Sequence, residues 1–157
     1  MGKIPSNIDR LSDKDLLKLR ILVGQELHRR GLKFSVGELG ENYAIEHFNS
    51  TPGLPNLLKA PTGAKNVDAL SRDGDRYSIK TVQRGKKTGT IYPDSEENDK
   101  QLFEFILLAV LDDQYELDQL FRFSWKDFLK VRAWDKRMNA WYIPVSKNRI
   151  KTAQRIK

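Results

Sequence analysis

The sequence predicts a mixed α/β (α+β) chain, with helices first and a β-sheet after them. Three observations carry that expectation. Residues 12–30 and 35–48 space their apolar side chains at helical intervals. Asn66–Val82 holds two short runs, NVDAL and RYSIKTV, on either side of Asp73-Gly74, as a hairpin does. FEFILLAVL, Phe103–Leu111, is almost uninterrupted apolar sequence ending in Asp112-Asp113, the pattern of a strand buried on both faces. Helices followed by strands place the chain in the α/β or α+β class.

Each element has its own local cause. Ser12 is a suitable N-cap, with Asp13 and Asp15 in the first turn of a helix that runs to about Arg30 and stops at Gly31. Leu16, Leu17, Leu19, Ile21, Leu22 and Leu27 supply its apolar side. A second helix begins at Ser35, with Leu39, Tyr43, Ala44 and Phe48 on one side. NSTPGLPN is a loop on its proline and glycine content. Gly85–Asn98 is polar and irregular, a long loop expected to be mobile or to carry function. YELDQLFRFS alternates like a strand, Ser124 caps a short helix WKDFLKVRAW, and WYIPV is a last strand or extended segment. No repeat or linker interrupts the chain. Residues 1–157 therefore read as a single domain: an N-terminal helical segment over 1–34, a core over 35–147 and a basic tail over 148–157.

Composition narrows the class of function. Hydrophobic residues make up 39% and charged residues 31%, which suits a folded chain rather than a disordered one. No apolar run approaches a membrane span of about 20 residues, and the N-terminus lacks the apolar stretch of a signal peptide, so a cytoplasmic location and no membrane partner are expected. The absence of cysteine excludes disulfides and thiolate metal sites. The net charge of +7 is unevenly spread. Residues 1–35 carry eight Lys/Arg against four Asp/Glu, residues 36–121 nine against fifteen, and residues 122–157 eleven against two. Basic ends attract polyanions, and an acidic middle invites a divalent cation.

The chemistry concentrates in NVDALSRDGDRYSIKT. A short turn brings Asp68 and Lys80 onto neighbouring strands, and the two-residue period puts Ser78 and Lys80 on one face and Ile79 on the other. Phosphodiester hydrolysis needs the phosphate neutralised, a water activated and the leaving oxygen stabilised. A carboxylate-held Mg²⁺ with a lysine beside it answers those needs. Other motifs fall away. His28 and His47 form no triad and no metal pair, DGDR is too short for a calcium loop, and QRGKKTGT lacks the phosphate-loop context. Trp125, Trp134, Trp141, Phe121, Phe123 and Phe128 read mainly as core, with base stacking as the alternative. In the tail SKNRIKTAQRIK, five basic residues and no acids fit either phosphate contact or a solvated end.

Asp68, about ten intervening residues, and then Ser78-Ile79-Lys80 resembles the signature of the PD-(D/E)xK nuclease superfamily. GELGENYA resembles the first-helix GxxGExxA pattern of several of its branches. The order of elements over roughly residues 36–147 is similar to that of small type II restriction endonucleases of the PvuII type. The resemblance implies a restriction-endonuclease-like fold, a central mixed sheet flanked by helices. It implies a Mg²⁺-dependent endonuclease, with Mn²⁺ as substitute, that acts on double-stranded DNA as a homodimer; the N-terminal helices, apolar and basic, are where an interface is expected. Asp68 and Glu41 would ligate the metal with the carbonyl of Ile79, Lys80 would position the nucleophile, and Ser78 would line the site. Apart from the resemblance, the basic segment QRGKKTGT reads as a mobile loop whose Arg84, Lys86 and Lys87 grip backbone phosphates, with Gln83 at a phosphate, a water or a solvent-facing strand end. Two departures stand out. Val67 replaces the proline before Asp68, and Ser78 replaces the second acidic residue, which removes one negative charge. Three readings follow: Glu41 or another carboxylate takes over the missing role, the site binds metal weakly yet turns over, or the chain is a catalytically silent DNA-binding protein. Glu38, one turn before Glu41, reads as solvated or as a neighbour of the helix N-terminus. A basic RNA- or ribosome-associated protein is a further alternative, though it leaves the pairing of Asp68 with Lys80 unexplained.

Overall fold

A computed structural model describes residues 7–33 and 35–157. The start of the N-terminus read above for a signal peptide, residues 1–6, lies outside the described residues. The chain divides into two compact units, Met1–Ser35 and Val36–Lys157.

The first unit is built around α1 (Asp13–Arg29). Ser12 caps it by accepting from the Asp15 N–H, and its hydroxyl donates back to the Asp15 carboxylate at 2.8 Å. At the other end Gly31 takes φ +69°, the Gly31 N–H bonds the His28 carbonyl and the Leu32 N–H bonds that of Leu27. That pair of bonds is a Schellman closure, which satisfies carbonyls the helix would otherwise leave open.

The second unit opens with α2 (Val36–Ser50), followed by three antiparallel strands: β1 (Leu57–Lys59), β2 (Ala69–Ser71) and β3 (Arg76–Val82). Gly74, at φ +85°, supplies the positive-φ position of the turn between β2 and β3. The apolar run becomes β4 (Phe105–Leu111), which lies parallel to β3 and antiparallel to β5 (Leu117–Ser124). Ser124 caps α3 (Trp125–Val131), accepting from the Asp127 N–H. A separate hairpin, β6 (Ala133–Asp135) and β7 (Ala140–Tyr142), precedes α4 (Lys147–Ile150) and β8 (Gln154–Arg155). The main sheet is mixed and six-stranded, in the order β1-β2-β3-β4-β5-β8.

Alternation along β4 sorts the core into two layers. Leu107, Ala109 and Leu111 meet Ala44 and Phe48 of α2, together with Ala69, Tyr77 and Ile79. Ile106 and Leu108 join Phe121, Phe123 and the α3 residues Phe128 and Val131 on the opposite face. Helices cover both faces, so β4 can be apolar throughout.

Three features lie outside what the sequence indicates. The tail keeps exposed side chains but pairs as a strand: β8 lies along β5 at Phe121↔Arg155 and Arg122↔Gln154, and Lys157 bonds back to Leu117 and Leu120. Unpaired backbone at the edge of β5 gives those residues a partner that composition alone does not reveal. The stretch after β3 is not a loose loop. Thr88 and Ile91 are buried, Lys87 bridges to Pro144, and Ile91 exchanges backbone bonds with Trp141. Finally, β1 lies where no strand was expected. Asn49, near the end of α2, holds it through both amide atoms, to the carbonyl and N–H of Leu57.

Candidate active site

Asp68 sits one residue before β2, opposite Ser78, as the pairing of Ala69 with Tyr77 requires. Its carboxylate accepts from the Ile79 N–H at 2.7 Å, and its own N–H donates to the Tyr77 carbonyl at 2.8 Å. The aspartate is thus anchored to β3 by main chain and side chain together. Within a strand, N–H and C=O of one residue point to the same side. The Ile79 carbonyl therefore faces the Asp68 side of β3, beyond the last paired residue of β2.

Alternation in β3 follows expectation. Tyr77 and Ile79 enter the layer under α2, while Ser78 and Lys80 lie opposite Ile106 and Leu108 in the α3 layer. Ser78 is only 1% exposed, so this face of β3 is as covered as the other, and the hydroxyl is buried rather than open to solvent. Lys80, next along, is half-buried. Burial pulls its ammonium pKa down, and the carboxylates of Asp68 and Glu41 partly oppose that fall.

Glu41 reaches the same neighbourhood from α2. The helix comes down onto β3 at Gly40, which has no side chain to hold it away from Thr81. Burial first, then the charges of Asp68 and Glu38, push the Glu41 carboxyl up to about 7, while Lys59 and Lys80 act in the opposite sense. Glu41 thus feels the charges of Asp68 and Lys80, and Lys80 those of Asp68 and Glu41, so the residue before β2, α2 and β3 bring three charged groups within electrostatic reach.

Two further residues belong to this neighbourhood. Glu38 is no free surface group: its carboxylate pairs with Lys59 of β1 at 2.5 Å. That ion pair is the main reason the Lys59 pKa is raised, with Glu41 and Asp68 adding to it. Lys59 escaped the sequence reading because a three-residue strand leaves almost no periodic signal. The Leu57-Leu58 pair before it was the only hint.

Gln83, Arg84 and Lys87 do not join Asp68 and Lys80. Gln83 donates to the Asp112 carbonyl beyond β4, Arg84 pairs with Asp113, and Lys87 pairs with Asp135 at the β6–β7 turn. The Lys86 carbonyl accepts from the Val145 N–H, which ties that residue's backbone to the segment after β7.

Among the described residues, no three acidic, imidazole or thiol groups converge as a ready metal cage. The donors at hand are two carboxylates and a backbone carbonyl. Mg²⁺ keeps several waters and takes one or two carboxylates, so this set fits it, and the repulsion between Asp68 and Glu41 is what a cation would relieve.

No known protein-family model matches the chain, and no curated protein matches it in sequence.

Proposed function

We propose that this protein is a Mg²⁺-dependent endodeoxyribonuclease of the restriction-endonuclease kind, hydrolysing phosphodiester bonds of double-stranded DNA. The observation that supports the reading best is Asp68 fixed on the Ile79 N–H one residue before Lys80, with Glu41 and Lys80 each within reach of its charge. Asp68, through the oxygen not bonded to Ile79, Glu41 and the Ile79 carbonyl would hold the cation. When bound, that cation supplies charge for the phosphate and a lower pKa for an attacking water. Lys80 feels the charge of both carboxylates and has its proton loosened by burial, which suits it to orient the water and to offset charge that builds on phosphorus. Lys59 keeps Glu38 paired and lends positive charge to Glu41, which favours the ionised carboxylate that a cation requires.

The test is supercoiled plasmid incubated with Mg²⁺ or Mn²⁺ and wild type, Asp68→Asn or Lys80→Ala protein. Nicked or linear product with wild type, lost in both variants, is the expected result. Intact plasmid with folded wild type and either metal overturns the reading.

A second reading, a catalytically silent DNA-binding protein of the same class, draws support from the buried Ser78 where a third carboxylate would stand. The same plasmid experiment, paired with a binding measurement, separates the two.

A further inference from the structure

The region from Arg122 to Lys157 holds eleven basic residues and two acidic ones, and both acids are already engaged. Asp127 serves the α3 cap with Ser124 and lies 3.8 Å from Lys130. Asp135 pairs with Lys87, and its other oxygen accepts from the N–H groups of Arg137 and Met138. Those two backbone bonds fold the β6–β7 turn into a fixed shape, completed by Asn139 at φ +49°. Lys136 and Arg137 sit on this turn, exposed, and neither side chain has a carboxylate partner among the described residues. Behind them, Trp134 faces Trp141 across the strands, edge-on at 4.8 Å and still 38% exposed. Met138 at the tip is 39% exposed.

We propose that the β6–β7 hairpin is a DNA-gripping element that enters a groove of the duplex, with Lys136 and Arg137 on backbone phosphates and Trp134 against the groove wall. A two-stranded ribbon is narrow enough for the major groove of B-DNA. A rigid turn loses little freedom on binding, so its two cations are presented at small entropic cost. Duplex fits better than an unpaired strand. The Arg132 guanidinium already covers the Trp141 ring at 3.8 Å, and Trp134 packs edge-on, so no pair of open aromatic faces awaits unstacked bases. Lys87, which binds Asp135 and lies 5.1 Å over the Tyr142 ring, carries the basic segment after β3 to the same surface. The inference rests on the proposed function only for the choice of DNA as polyanion. It moves the main grip from the segment after β3 to the hairpin.

The test is fluorescence anisotropy of a labelled duplex in EDTA, where no hydrolysis intervenes, over a series of salt concentrations. Wild type is compared with Lys136→Ala/Arg137→Ala and with a charge-matched control on α1, Lys18→Ala/Arg20→Ala. Neither hairpin substitution touches the Asp135 bonds, which use backbone N–H groups. The hairpin variant is expected to bind at least about tenfold more weakly at low salt, with the salt slope reduced by about 2, while the control keeps the wild-type slope. A wild-type slope in the hairpin variant, an equal loss in the control, tighter binding of a single strand or RNA, or no duplex binding by wild type overturns the proposal. Plasmid cleavage is read separately. A shifted slope with intact plasmid keeps the hairpin and sinks the nuclease; cleavage with an unshifted slope does the reverse.

Discussion

A Cβ built on Gly40 would lie 1.9 Å from the Thr81 hydroxyl oxygen and 2.7 Å from its Cβ. No real contact is that short, so α2 and β3 touch backbone to side chain because residue 40 is glycine. Gly40→Ala is expected to push the helix outward and destabilise the protein by about 1–3 kcal/mol, as overpacking does. Thr81→Ala restores only part of that loss, since its own Cβ remains in the way. The measurement is chemical denaturation of the single and double variants. A neutral Gly40→Ala would show that the helix is free to move off the strand.

Thr81 permits a cleaner test of the same contact. Its hydroxyl oxygen is buried and has no hydrogen-bond partner. Thr81→Val keeps the shape and removes the polar atom, so a gain of about 1 kcal/mol is expected in the same assay.

Glu41 makes stability depend on pH in a defined direction. Its carboxyl is raised from an ordinary value near 4.5 to about 7, so between those values the folded protein holds a proton that the unfolded chain has released. Stability therefore falls as pH rises through this window. Glu41→Gln lacks that loss. In EDTA it is expected to match wild type below pH 4.5 and to exceed it above pH 7 by on the order of 1–2 kcal/mol. Thermal denaturation across that range checks the sign. A variant less stable than wild type at pH 8 contradicts the burial of Glu41 among like charges.

The Glu38–Lys59 pair tunes that titration from a distance. Lys59→Met removes a positive charge that favours ionised Glu41, and Glu38→Gln removes a negative one that opposes it. The Glu41 midpoint, followed by carboxyl ¹³C chemical shift, is expected to rise in the first variant and to fall in the second. Identical midpoints in all three proteins would separate Lys59 from the site.

Ser78 is where added charge distinguishes a competent site from a silent one. Ser78→Glu buries a carboxylate beside Asp68, so without metal the variant is expected to melt several degrees below wild type. Mn²⁺ should recover that loss and raise its melting temperature more than that of wild type, through tighter binding to the folded state. Equal Mn²⁺ shifts in the two proteins would mean that residue 78 does not face a metal site.

Local features were the legible ones. The turn at Asp73-Gly74 fixes the neighbourhood of Asp68 and Lys80, and the caps at Ser12 and Ser124 act over three residues. The alternation that sets Lys80 apart from Ile79 is equally local. What sequence hid was non-local. Gly40 reads as a helix glycine until Thr81 is seen against it. Lys59 belongs to a strand of three residues that exists because β2 and Asn49 hold it. Glu38 looks solvated until β1 brings it a cation. The basic tail likewise gives no sign of its partner, because β5 lies more than thirty residues earlier.

The pairing of the tail with β5 also bears on how the protein avoids sticking to itself. With Gln154–Lys157 in place, the Leu120 N–H and carbonyl are both taken. Trimming those residues would leave a bare strand margin open to backbone from another molecule, the usual first step toward intermolecular β-stacking. Clipped protein should therefore precipitate sooner than intact protein, with the neighbourhood of Asp68 and Lys80 untouched.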